Sequence, residues 1–337
     1  MSTRSALPVP TVPGWHSTPV EPIRSDGPLD AIVTAVSGYR PADMAVWFNS
    51  LKATGFAGRI FVVAYDVDAE LVHWMEAQGA VVFTYRQDGP RYRYSQLDEE
   101  LADHLDGRKL RVDGRWTWTR RILRFRDKIH DRRFFHSSEL LRDHAERTGE
   151  TFRFLAFSDA RDVAFQGNPF DWIAANLPAD KDLLASVEGI THDDPWNHRM
   201  TIKAFGKHAL RRVAGKPVIC CGFFAGRFEP MLELMLANYY FDQSKRIGDQ
   251  IAFNQLLSFG AFGRITLLTD WQQPWTLHAC TLMEPSKSPG AFADPATLPR
   301  FEDGVVLTRA GERFAVIHHY DRAPAVEARF KALYGTP

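Results

Sequence analysis

Ala31-Ile32-Val33-Thr34-Ala35-Val36 is a short apolar run rich in β-branched residues, and Ser37-Gly38-Tyr39-Arg40-Pro41 follows it directly. The run reads as a buried strand. The residues after it read as a turn, and Pro41 suits the first turn of a helix. Met44, Trp47, Phe48 and Leu51 then recur at helical spacing, and Gly55 stands where the helix would stop. Ile60 to Ala64 is a second apolar strand. Asp68 can cap a helix carrying Leu71, Val72 and Met75 that ends at Gly79, and Ala80 to Tyr85 is a third strand. Strand, helix, strand, helix, strand with short connections specifies an α/β fold. Its central sheet is mostly parallel, Rossmann-like, and flanked by helices.

Working outward, residues 1–28 hold Pro8, Pro10, Pro13, Pro19, Pro22 and Pro28 and no apolar period, so they read as a poorly ordered leader. Residues 29–337 read as one domain, with no linker and no internal repeat. Residues 86–116 read as loop with a short helix at Leu97–Leu105. A helix is expected from Trp118, with Trp118, Ile122, Phe125 and Ile129 as its apolar stripe. Further strands are expected at Phe152–Phe157, Leu183–Val187, Val218–Cys221, Ile265–Leu268 and Phe314–His318, and helices at Phe170–Asn176, Pro230–Tyr240 and Asp249–Ser258.

Composition narrows the function classes. The 337 residues carry 41 basic and 41 acidic side chains, which excludes the global charge excess of a nucleic-acid-binding chain. No nucleic-acid partner is expected. Eleven basic and three acidic residues do fall within 107–133, a run that can be a solvated helix face, an anion site or a local nucleic-acid patch. Cys220, Cys221 and Cys280 lack metal-type spacing and read as core residues in a reducing compartment. No apolar stretch is long enough to span a membrane and no signal peptide is legible, so the expected location is the cytoplasm or the membrane periphery.

The chemistry-bearing segment is Phe154-Leu155-Ala156-Phe157-Ser158-Asp159-Ala160-Arg161-Asp162-Val163-Ala164-Phe165-Gln166-Gly167-Asn168-Pro169-Phe170. An apolar strand runs into two carboxylates, and ligands of open α/β sheets bind at carboxyl ends of strands. Asp159 and Asp162 there can hold a divalent cation, or simply form a charged turn. The turn after the first strand, Thr34, Ala35, Val36, Ser37, Gly38 and Tyr39, lacks the glycine spacing of a dinucleotide site. Asp66 ends the second strand, where it can meet a ligand or lead into a helix. Arg121, Arg124 and Lys128 share a helix flank and can bind diphosphate oxygens. Cys221 and Gly222 lie in a strand ending in a glycine turn, and Asp249-Gln250-Ile251-Ala252-Phe253-Asn254 opens a helix. His318 and His319 end the last strand. Both cannot aim at one site while that strand stays regular, because successive side chains point to opposite faces. Glu188, His192, Asp193, Asp194, Trp196 and Asn197 form a polar, aromatic loop, and Trp271 and Trp275 lie in another. Aromatic faces beside carboxylates suit sugars.

In this order, these segments resemble glycosyltransferases of the GT-A fold, over residues 29 to 322. The likeness is to a group with Asp-x-Arg-Asp and His-x-Tyr-Asp-Arg elements, here Asp159-Ala160-Arg161-Asp162 and His318-His319-Tyr320-Asp321-Arg322. The family's usual element is Asp-x-Asp, so one residue is extra. The resemblance implies a metal-dependent hexosyltransferase-like enzyme that moves a sugar from a UDP- or GDP-sugar donor to a glycan or other small acceptor. It implies Mn²⁺ or Mg²⁺ on Asp162, Asp159 and His318. The donor would meet residues 34–39, Asp66, Arg121, Arg124, Lys128, Asp159, Ala160 and Arg161. Asp249 and Gln250 would serve catalysis, and Glu188, Trp196, Asn197, Cys221, Gly222 and Trp275 the sugar or acceptor. A late His with no isolated base leans towards retention of configuration. A sugar-phosphate nucleotidyltransferase, or a non-catalytic carbohydrate or nucleic-acid binder on the same fold, are the alternatives.

Overall fold

The computed structural model describes residues 15–18, 21–23, 25, 27–85, 109–112, 115–118, 129–241, 248–283 and 294–337, with backbone alone up to 131 in the segments from 109. The first elements are β1 (Trp15–Ser17), β2 (Leu29–Ser37), α1 (Pro41–Ala53), β3 (Arg59–Tyr65), α2 (Ala69–Ala77) and β4 (Val81–Tyr85). A hairpin, β5 (Lys109–Val112) and β6 (Arg115–Trp118), precedes α3 (Ile129–Thr148), β7 (Phe152–Ser158), β8 (Val163–Phe165) and α4 (Pro169–Asn176). Then come β9 (Leu183–Thr191), α5 (Pro195–Val213), β10 (Pro217–Arg227), α6 (Phe228–Phe241), α7 (Asp249–Ser258), α8 (Gly260–Ile265) and β11 (Thr266–Thr269). The chain closes with β12 (Thr276–His278), α9 (Ala279–Leu282), β13 (Arg300–Glu302), β14 (Val305–Leu307), β15 (Val316–His318) and α10 (Pro324–Tyr334).

The main sheet runs β1-β4-β3-β2-β7-β10-β9-β11. The β4–β3, β3–β2, β2–β7 and β9–β11 pairings are parallel, and β1–β4, β7–β10 and β10–β9 are antiparallel. This is the mostly parallel, helix-flanked α/β sheet expected from the sequence. Alternation along each strand divides its core. Ile32, Ile60, Val62 and Val82 pack with Met44, Trp47, Phe48 and Leu51 of α1 and Leu71 and Met75 of α2. Val33, Phe61, Val63 and Phe83 pack on the other face with Phe134 and Leu140 of α3 and Met231, Leu232 and Met235 of α6. Each fully buried side chain of this size contributes roughly 1.5–3 kcal/mol, so burial on both faces is what selects the strands.

A small sheet, β12-β15-β8, stands apart from the main one. Leu277, Ile317 and Ala164 put its apolar side against α10 through Val326 and Phe330. Gln166 ties it to its surroundings: its Nε2 donates to the carbonyls of Val306 and Phe314, and its Oε1 accepts from the Val306 amide. Asn168 caps α4 by accepting from the Phe170 amide.

Two local expectations change. Trp15–Ser17, inside the stretch read as an irregular leader, is a strand paired antiparallel to β4, with Trp15 buried against Tyr65 and Tyr85. Trp118 ends strand β6 rather than opening a helix, and the described helix starts at Ile129. The expected helix at Leu97–Leu105 lies outside the described residues. So does most of the basic flank, including Arg121, Arg124 and Lys128.

Candidate active-site cleft

A cleft of about 800 Å³ opens at the carboxyl ends of β2 and β7. One wall is Ala35, Val36, Ser37 and Tyr39, at the end of β2. Next to it, β7 delivers Asp159, and the turn into β8 adds Ala160, Arg161 and Asp162. Glu188, Asp194, Trp196, Asn197, Cys221, Gly222, Asp249, Gln250, His318 and His319 complete the set of sequence-selected residues that line it.

The small sheet positions the histidines. β15 pairs with β8 so that His318 faces Val163, one residue from Asp162. His318 Nε2 comes 3.9 Å from Asp159 Oδ2 and 3.9 Å from Asp162 Oδ1. Its Nδ1 meets Cys220 Sγ at 3.0 Å, which fixes the ring. Nε2 is buried and lacks any hydrogen-bond partner. Burial pushes this imidazole down to about 3, so the ring is neutral. Two carboxylates and the free nitrogen of a neutral ring fit a divalent cation of the Mn²⁺ type. Gly222 leaves the room for it: a Cβ there would collide with the His318 ring and sit 2.8 Å from Asp159 Oδ2.

His319 does not point away from His318 as a regular strand would require. It lies just past the end of β15 in the left-handed region, with φ 56. That turn brings the two rings to a centroid distance of 3.9 Å. His319 Nε2 is 3.2 Å from Asp162 Oδ2. Burial acts to lower the His319 pKa, but the bonds to Asp162 and Cys280 outweigh it and bring it up to about 10. Asp162 is correspondingly held well below the usual carboxylate range: burial opposes this, and the two histidines prevail.

The far wall is a polar chain. Arg133 of α3 donates to Asp159 and, at 2.8 Å, to Asp249. Its guanidinium lies over the Phe157 ring, 5.1 Å from the centroid. Gln250 Nε2 donates to Glu188 Oε1 at 2.7 Å, and Gln250 Oε1 accepts from the Cys221 amide at 3.1 Å. Burial raises the Glu188 carboxyl, against the pull of His319 and Gln250. Asp194 caps α5 by accepting from the amides of Trp196 and Asn197, both at 3.0 Å. That cap leaves Trp196 exposed at the rim.

Several selected residues do not reach the cleft. Trp275 is wholly buried against Phe223 and Trp172, and is a core residue rather than a sugar platform. Thr34 is sealed inside β2, and Gly38 shapes the turn with φ 64 without lining the cavity. Asp66 sits in the left-handed region at the end of β3, where Asp is better tolerated than most residues, and it lies off the cleft. Conversely, Arg133, Ile190, His278, Cys280 and Thr281 line the cavity without having been selected. The helical spacing of Arg121, Arg124 and Lys128 leads to Arg132, one residue short of Arg133. His278 belongs to a strand too short to show a period.

The chain is similar to several solved structures. Mouse xyloside xylosyltransferase 1 in its apo form is 10% identical, covering 88% of this chain and 99% of its own, at a TM-score of 0.45. The galactosyltransferase LgtC, solved with donor and acceptor sugar analogues, is 14% identical over 90% of this chain and 94% of its own, at 0.46. The bifunctional glycosyltransferase WbbM is 11% identical over 92% of this chain but 50% of its own, at 0.47. No protein-family model and no curated protein matches the chain. Among the described residues, no helix is long and apolar enough to cross a membrane.

Proposed function

We propose that this protein is a metal-dependent glycosyltransferase that takes a sugar from a nucleoside diphosphate donor. The observation that carries the reading is the convergence of Asp159, Asp162 and the unpartnered His318 Nε2 at the carboxyl end of β7, beside the Ala35–Tyr39 wall. A cation held there would supply positive charge for the departing diphosphate. The chain's own residues do the rest. The Ala35, Val36, Ser37 and Tyr39 wall seats the base and ribose, and Arg161 lies beside it for anionic oxygens. Arg133 pairs with both Asp159 and Asp249 and orients them. Gln250 fixes Glu188, which faces the sugar, and Trp196 at the rim offers a ring face to an acceptor glycan. Arg121, Arg124 and Lys128 remain proposed diphosphate contacts.

Thermal unfolding tests it. A nucleoside diphosphate should raise the melting temperature with Mn²⁺ and much less with a chelator, in proportion to its occupancy. Asp162→Asn should remove the metal-dependent part of the shift and leave the fold intact by circular dichroism, while its metal-free melting point falls with the lost His319 pair. Equal shifts with and without Mn²⁺ would dismiss a metal-bridged donor. Release of pyrophosphate from a nucleoside triphosphate would favour a nucleotidyltransferase instead.

A further inference from the structure

The small sheet gathers more nitrogen than one carboxylate-held cation uses. β12 and β15 pair in parallel with His278 directly opposite His318. The left-handed backbone of His319 turns its ring into the same space. The His278 ring centroid lies 5.1 Å from that of His318 and 4.5 Å from that of His319, and one donor atom from each of the three falls within 4.8 Å of the others. His318 Nε2 and His319 Nδ1 are both buried without a hydrogen-bond partner. Glu188 Oε1 is 3.8 Å from His278 Nε2, and the Cys280 thiol is bonded to His319.

We propose that His278, His318 and His319 form a second cation position, suited to a borderline ion such as Zn²⁺ or Co²⁺, with Glu188 and Cys280 beside it. Three imidazoles with a carboxylate and a thiol nearby match the ligands that Zn²⁺ and Co²⁺ prefer, and the ion enters as His319, paired with Asp162, gives up a proton to solvent. Mg²⁺ prefers oxygen, and the Asp159 and Asp162 side of His318 supplies that. His318 Nε2 has a single lone pair, so the two positions share one ligand and exclude each other. Zn²⁺ on the three histidines withdraws His318 from the carboxylates and opposes Mn²⁺ there.

The full chain, stripped with a chelator, is titrated with Zn²⁺ by calorimetry, with Co²⁺ by visible absorption and with Mn²⁺ by electron paramagnetic resonance. No donor or acceptor is needed, so the outcome is separate from that of the transferase reading. Zn²⁺ should weaken Mn²⁺ binding in the parent protein, and Zn²⁺ but not Mg²⁺ should erase the Co²⁺ spectrum. His278→Ala should weaken Zn²⁺ and Co²⁺ by roughly tenfold or more, at least the loss seen when a mere support of a metal ligand is removed, and spare Mn²⁺. Asp162→Asn should do the reverse. Because His278 is buried, circular dichroism checks the fold of its variant, and the competition in the parent protein stands without it. Unchanged Zn²⁺ affinity in folded His278→Ala, equal losses of both ions in both variants, or Mn²⁺ binding indifferent to Zn²⁺ would each overturn the second position.

Discussion

Gly222 shows how a missing side chain can shape a site. Its carbonyl accepts from the Asp159 amide at 2.7 Å, which locks the start of the carboxylate turn against β10. Any Cβ would press on His318 and Asp159 together. His318 cannot swing clear, because its Nδ1 is held by Cys220 and the ring is buried. Gly222→Ala should therefore weaken Mn²⁺ binding by roughly tenfold or more, since two proposed ligands would be displaced at once. Overpacking of this kind should also cost about 1–3 kcal/mol of stability. Calorimetry with Mn²⁺ and urea unfolding measure the two effects, and an unchanged Mn²⁺ affinity would show that the ring and carboxylate lie outside the cation's reach. At this scale the sequence showed the residues at strand ends. Asp159 and His318 each close an apolar run, with Asp162 three residues after Asp159, and a run's carboxyl end is a readable address. Gly222, read from the sequence as a turn, lies instead inside β10, because the apolar run continues through Phe223, Phe224 and Ala225. Arg133 and His278 were hidden, one by a period that led to its neighbour and one by a three-residue strand.

At the scale of elements, α7 is docked by one amide side chain. Asn254 is fully buried, its Nδ2 donates to the Ile219 carbonyl at 2.8 Å, and its Oδ1 accepts from the Ile219 amide at 2.7 Å. The same oxygen meets His192 Nε2 at 3.1 Å. The bond pair substitutes for a strand neighbour along β10, where the register shifts between Ile219 and Phe224. Asn254→Leu keeps the volume but orphans both backbone groups of Ile219. It should cost about 1–3 kcal/mol per unmet group, read by urea unfolding, and loosen Asp249 and Gln250 at the helix start. A loss below 1 kcal/mol would mean that water fills the gap. The elements that the sequence revealed are those buried on both faces, such as β2, β3 and β7, whose apolar runs are continuous. Among those it hid are β8 and β12, too short for a period, and α5. Asp194-Pro195 did carry a helix-start signal, but α5 bears many basic residues, and Gly206, with φ 82, interrupts its helical backbone.

For the whole molecule, Glu150 joins parts of the chain that are far apart in sequence. It pairs with Arg59 at the start of β3, meets His144 Nε2 of α3 at 3.0 Å and accepts from the Ile23 amide at 2.7 Å. Burial acts to raise its carboxyl, but the bonds from His144, Arg59 and Ile23 outweigh burial and lower it from 4.5 to about 2. A lowered carboxylate stabilises the fold fully above its unfolded value and loses that contribution as the folded group takes up its proton. The window therefore runs from about pH 4.5 down to about 2. Over it the protein should lose on the order of 3 kcal/mol from this group alone. Glu150→Gln should lower stability at pH 7 and flatten this acid limb, as followed by denaturant unfolding at stepped pH. A variant with the parent's full acid slope would place the proton uptake elsewhere.

The left-handed turn at His319 also bears on how the protein would respond to selection in the laboratory. Glycine accepts φ 56 freely and Asn or Asp fairly well, whereas a bulky ring there costs on the order of 1 kcal/mol. A mutant library screened for heat resistance alone should thus enrich Gly or Asn at 319, and sequencing the survivors would show it. The same library screened for retention of a transition ion should keep His. Opposite drifts at this one codon would reveal a backbone conformation kept at the expense of robustness for the sake of an imidazole.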